Sequence, residues 1–187
     1  FEVELQWPSF LTGLDDDVQE MARFMVKAAN LPASNLTPID IPFRGRNLKI
    51  AGDRTFDVWT ITIINDTDFK LRNAFEIWMN GMNKHQDATG VTTPTDYQRD
   101  AYVYQLGRSA SDSSADFGAT GGTIPVLKAY KFHGVFPTNV SAIELSYDQP
   151  DTIEEFTVDL QVQWWDAFNK DGETILGTEG EGIANAG

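Results

Sequence analysis

The feature that most constrains this chain is a run near its C-terminal end, residues 154–165, where side chains alternate strictly in character. Phe156, Val158, Leu160, Val162 and Trp164 interleave with Glu155, Thr157, Asp159, Gln161 and Gln163. A period of two fits only an extended strand, with one buried face and one wholly polar face. A strand of that kind belongs to an antiparallel sheet wetted on one side. Two further runs agree with it. Residues 56–65 are rich in β-branched and aromatic side chains and read as a central strand, and residues 1–5 alternate apolar and acidic until Trp7-Pro8 ends them.

The period changes after Asn65. Asp66, Thr67 and Asp68 are cap candidates, and Leu71, Ala74, Phe75, Trp78, Met79 and Met82 then recur at three- and four-residue steps. That spacing predicts an amphipathic helix over about 68–83, with Arg72 and Glu76 able to pair on its exposed side. Further strands are expected at 21–29, 39–43, 101–106, 126–135, 140–147 and 154–165. Phe136-Pro137-Thr138-Asn139 and Asp148-Gln149-Pro150-Asp151 read as turns, which implies an antiparallel meander. In the 21–29 run, Phe24 and Val26 would share one face and Arg23 and Lys27 the other. Residues 39–56 form a long hairpin or an extended loop, with turns at Arg44-Gly45-Arg46 and Gly52-Asp53-Arg54. Residues 107–123 are almost wholly Gly, Ser, Ala, Asp and Thr and read as a loop; residues 169–187 read as a Gly-rich acidic tail after a domain of 1–168.

Composition then bounds function. With no cysteine in 187 residues, disulfides, thiolate metal sites and cysteine nucleophiles are excluded together. Twenty-eight acidic against fourteen basic residues give a formal charge of −14, a field that repels phosphate. No apolar stretch is long enough to cross a bilayer as a helix. His85 and His133, the two histidines, stand apart in sequence, and no nucleophile elbow, Walker loop or dinucleotide-binding glycine run is present. Asp15, Asp16 and Asp17 read as helix-cap or dipole partners in preference to a cation site. Glu154 and Glu155, being adjacent, point to opposite faces of a strand and do not converge. The Asn-x-Ser/Thr matches at Asn35, Asn65 and Asn139 read as chance occurrences. No catalytic, cofactor-binding or metal-binding residue is assigned.

Several stretches, taken in order, resemble the tail tube protein family of contractile-tailed bacteriophages: FMVKAANLP at 24–32, IPFRGR at 41–46, GDRTFD at 52–57, the strand and helix of 59–83 with RNAFEIWMN at 72–80, GVFPTNVSAI at 134–143 and DTIEEFTV at 151–158. The resemblance implies a mainly β fold, an antiparallel β-sandwich or barrel of tail-tube type with one flanking helix. It also implies a homohexameric ring, stacked into a tube through which DNA leaves the capsid. A contractile sheath, a baseplate and a tail terminator are the implied partners, the virion tail is the implied location, and DNA passes without specific binding. The chain departs from the family pattern in the 107–123 loop and after Asp166. Under this resemblance Arg44, Arg46 and Arg54 belong to an arm that meets neighbouring subunits, and Glu155, Thr157, Asp159 and Gln161 line the lumen. Alternatives are a tube component of a related contractile injection or secretion system, a carbohydrate-binding β-sandwich using Trp7, Trp59, Trp78, Trp164 or Trp165 as a stacking platform, and a hydrolase using scattered carboxylates.

Overall fold

The computed structural model describes residues 1–11, 17–107, 126–143, 153–169 and 174–176. Ten strands occur among them: β1 (Glu2–Leu5), β2 (Val26–Ala29), β3 (Ser34–Phe43), β4 (Arg46–Phe56), β5 (Trp59–Ile64), β6 (Arg99–Leu106), β7 (Val126–Val140), β8 (Glu155–Gln161), β9 (Trp164–Phe168) and β10 (Thr174–Leu176). Three helices accompany them: α1 (Asp17–Met25), α2 (Lys70–Met82) and the single turn α3 (Pro94–Tyr97).

Every described strand pair is antiparallel, and the main sheet runs β1-β6-β7-β8-β5-β2, with β9 and β10 branching from β7. Strand β7 joins two layers. Its first part pairs with β6 on one side and β9 on the other, and its last residues pair with β8. Gly134 marks the bend. Its φ of +63° suits glycine, and a Cβ there would lie 2.6 Å from the Gln163 side chain. Between the layers lie Val3, Val103 and Phe132 from one side and Trp59, Ile61, Phe156, Val158 and Leu160 from the other, all buried.

Helix α2 closes this core. Leu71, Ala74, Phe75 and Trp78 are its buried positions, as the three- and four-residue spacing predicts, and the Trp78 indole donates to the carbonyl of Tyr97 at 2.8 Å. Trp7 meets Phe75 and Trp78 edge to face, at 5.1 and 5.7 Å between ring centroids. Of the expected cap residues, Asp66 serves. Its carboxylate accepts from the backbone N–H of Lys70 at 3.0 Å and, at the limit of bonding distance, of Leu71 at 3.5 Å.

Three expectations are corrected. The strand expected at 21–29 is a strand only from Val26; residues 17–25 are α1, in which Val18 and Ala22 are buried, Met21 and Met25 half-buried, and Phe24 is 78% exposed. Arg23 reaches back to Glu2 and Glu4 of β1, at 3.4 and 3.0 Å. The turn expected at 136–139 is the continuation of β7. Proline is tolerated there because this end of β7 pairs with β8 on one side and forms an edge among the described residues on the other. The strand expected over 154–165 is divided after Gln161, yet both parts keep one register against β7: Phe136 faces Gln161 and His133 faces Trp164. Residues 144–147, the second turn, Asp15, Asp16 and nearly all of the 107–123 loop lie outside the described residues. Of the expected tail, residues 174–176 form β10 against β9.

Candidate assembly surfaces

Strands β3 and β4, ten and eleven residues long, form a hairpin that makes up a separate two-stranded sheet. The choice left open between hairpin and extended loop is settled by register, which pairs Ser34 with Phe56 at the base and Phe43 with Arg46 at the tip. Arg44 and Gly45 form the turn, with φ of +47° and +81°. Positive φ at both central residues is the two-residue turn whose twist matches that of the flanking strands. Gly52-Asp53-Arg54, expected as a turn, lies inside β4 at a register shift between Leu36 and Pro38 of β3.

The hairpin has two chemically distinct faces. Ile39 faces Ile50, Ile41 faces Leu48 and Phe43 faces Arg46, while the opposite face pairs Asp40 with Lys49 and Pro42 with Asn47. All residues of β3 are exposed, and the five large apolar side chains of the first face range from 42% to 64% exposed. That apolar stripe is a candidate contact surface that sequence reasoning missed. The alternation at 39, 41, 43 and at 48, 50 carried the signal. The three arginines do not converge: Arg44 lies in the turn with its guanidinium 5.5 Å from the Phe43 ring, Arg46 sits on the apolar face, and Arg54 pairs with Leu36 beyond the bulge.

The second surface is the outer face of β8 and β5. Glu155, Thr157, Asp159 and Gln161 do share one face, opposite the buried Phe156, Val158 and Leu160. They meet Ile64, Thr62 and Thr60 of β5, with Thr60 donating to Asp159 at 2.7 Å and Asn139 of β7 donating to its other oxygen at 3.1 Å. Those bonds, Asn139's first and Thr60's second, hold the Asp159 carboxyl below the usual carboxylate range. Lys27 forms an ion pair with Glu155. The face is therefore polar and only partly negative, since one of its two carboxylates has a cationic neighbour. Gln163 falls past the end of β8, where its N–H donates to the His133 carbonyl at 3.0 Å.

The remaining candidate residues are placed by their contacts. His133 lies between Asp166 at 3.0 Å and Asp100 at 3.7 Å and stacks on Trp164 at 3.7 Å, while His85 is exposed beyond α2. Lys131 also binds Asp100 at 3.0 Å; burial lowers its pKa, but the hydrogen bond and charge of Asp100 outweigh this and raise it. Each of the five tryptophans is packed within the chain: Trp59 and Trp78 are buried, Trp7 packs on α2, half-buried Trp164 stacks on His133, and Trp165 packs edge to face on Phe56 and Tyr130. Asn65, Asp66, Thr67, Phe69, Ile153 and Glu154 line an open depression of about 440 Å³ where β5 turns into α2. Phe69 has a φ of +55°, a left-handed conformation unusual for a bulky side chain.

The family model for phage tail tube protein matches residues 1–167. The tail tube protein gp19 of Enterobacteria phage T4 is 33% identical over 144 residues, covering 76% of this chain and 80% of that protein. The tail tube protein of Serratia phage KSP90 is 28% identical over 86% of this chain and 82% of that protein. In fold, the chain is similar to the tube-terminating cap of the anti-feeding prophage, with a TM-score of 0.56 at 14% identity over 90% of this chain and 89% of the other.

Proposed function

Because the chain belongs to the phage tail tube protein family, as a structural component of the contractile phage tail, we propose that it closes into six-membered rings that stack into the conduit for DNA ejection. The observation that carries this reading is the hairpin β3–β4, which extends a stripe of large apolar side chains away from the core. Stacked subunits would bury that stripe, which would otherwise remain in water. Rings follow from the same logic, since a head-to-tail contact either closes on itself or runs on as a filament, and a tube uses both. A sheath outside, a baseplate at one end and a terminator at the other complete the proposed setting. Arg44, Arg46 and Arg54 act at the contacts between subunits, where a planar guanidinium holds a carboxylate in a forked pair.

The face of Glu155, Thr157, Asp159 and Gln161 is proposed to line the lumen. Its hydroxyls, amides and carboxylates keep a hydrated wall, and the chain's net charge of −14 disfavours adhesion of phosphate. DNA would pass because it does not bind. His85 and His133 take no catalytic part in this reading. Electron microscopy of the purified chain at high concentration tests it: six-fold rings or tubes are expected, and a strictly monomeric protein would overturn it.

A further inference from the structure

The hairpin and the depression beside Phe69 stand at opposite ends of β5. The hairpin leaves the sheet just before Trp59, where the Asp57 N–H donates to the Ala33 carbonyl at 3.0 Å. The depression lies just after Ile64, where the Asn65 N–H donates to the Glu154 carbonyl at 2.9 Å. Six residues of β5 separate them, about 17 Å at the ~3.3 Å rise of a strand. One copy therefore carries a projecting element at one end of this sheet and a concave one at the other. This is the arrangement that a repeating head-to-tail contact requires.

The chemistry of the two ends is complementary. The tip, Phe43 to Arg46, presents an exposed aromatic ring and two guanidinium groups with no carboxylate among them. The depression presents Ile153, 65% exposed, and Phe69, 38% exposed, beside the carboxylate of Glu154, with no base among its lining residues. Glu154 is exposed and held by the Asn65 amide at 3.0 Å. A second depression, beside Phe10, Ile77 and Val91, is also apolar but contains Lys84, which would repel the tip.

We propose that the β3–β4 tip of one copy seats in the depression formed by Asn65, Thr67, Phe69, Ile153 and Glu154 of a second copy in the adjacent ring. Phe43 packs on Ile153 and Phe69, and Arg44 or Arg46 pairs with Glu154. This rests on the tube reading above and names the receiving surface for its arm.

The absence of cysteine makes the test clean, because an introduced pair has no competing thiol. Tubes of the Phe43→Cys, Ile153→Cys chain are oxidised and run on a denaturing gel. An Arg46→Cys, Thr67→Cys chain serves as a second pair, and Phe43→Cys, Ile77→Cys directs the tip to the rival depression. The expected result is a ladder of linked chains from either of the first two pairs and a single band from the third. Tubes that form while the first two pairs stay unlinked, or a ladder from the third pair alone, would overturn the seat and leave the tube reading intact. Failure of the Phe43→Cys, Ile153→Cys chain to assemble, beside a Phe43→Cys, Ile77→Cys chain and an unsubstituted chain that do, is the loss of contact that the seat predicts; failure of the Phe43→Cys, Ile77→Cys chain alone would move the seat to the rival depression and overturn the proposal. Failure of the unsubstituted chain to assemble at all would remove both.

Discussion

Replacing Asp66 by alanine removes the only described side chain that satisfies the first N–H groups of α2. The residue is 9% exposed, so water does not readily take over its role. Loss of a side-chain cap costs about 0.5–2 kcal/mol, and loss of a negative charge at a helix N-terminus adds about 0.3–1 kcal/mol. A working value is about 2 kcal/mol. For a chain of this length each kcal/mol lowers Tm by roughly 2–4 °C, so Asp66→Ala should melt about 4–8 °C below the unsubstituted protein. The effect reaches the core because α2 places Phe75 and Trp78, both essentially inaccessible, against Trp7. Asp66→Asn keeps an acceptor without the charge and should recover about half of the loss. The assay is thermal unfolding followed by far-UV circular dichroism, at a concentration where the chain is monomeric so that assembly adds nothing to Tm. If alanine melts within about 1 °C of the unsubstituted chain, the helix is secured by its packed face alone and the capping argument is wrong.

Changing Arg44, Arg46 and Arg54 together to alanine should reduce tube yield in electron micrographs while leaving monomer Tm within about 1 °C, since exposed side chains contribute little to folding. Gly81→Ala places a Cβ 2.3 Å from the Phe10 ring; overpacking of about 1–3 kcal/mol should outweigh the ~1 kcal/mol of helix propensity gained, and Phe10→Ala in the same chain should relieve the clash, as denaturant unfolding of the double variant would show. Asp159 has its folded pKa below 3.8, so its stabilising bonds are intact above that value and are lost as pH falls through the folded pKa. Asn139→Ala should raise that pKa, measured by carboxyl NMR titration, and so move the loss to higher pH. Gln161→Lys puts a cation on the proposed lumen wall without breaking the Lys27–Glu155 or Asp159 contacts; particles carrying it should eject DNA more slowly, most clearly at low salt, and an unchanged rate would mean that this face looks outward.

What the amino-acid sequence by itself determined was the set of elements with an unambiguous period. The alternation at 155–161 and 59–64 sorted every side chain to its observed face, because a strand on a core has no third option. The spacing from Leu71 to Met82 likewise picked out the buried side of α2. The succession of motifs from 24 to 158 carried the family, because order along the chain is itself sequence information. Residues 18–25 were ambiguous: Val18, Met21, Ala22 and Met25 carry helical spacing, yet Phe24 and Val26 on one side with Arg23 and Lys27 on the other also fit a strand, and only packing of α1 on β1 decided between them. The unbroken path of β7 through Pro137 was likewise a tertiary decision, since proline's missing donor matters only where a neighbour needs it. Partnership across strands was invisible for the same reason: that Lys27 pairs with Glu155, or that Arg44, Arg46 and Arg54 diverge, depends on register and bulges between segments far apart in sequence. Periodicity says which side of its own element a residue occupies. Which other residues share that side is set by the pairing of elements, and that is a property of the folded chain.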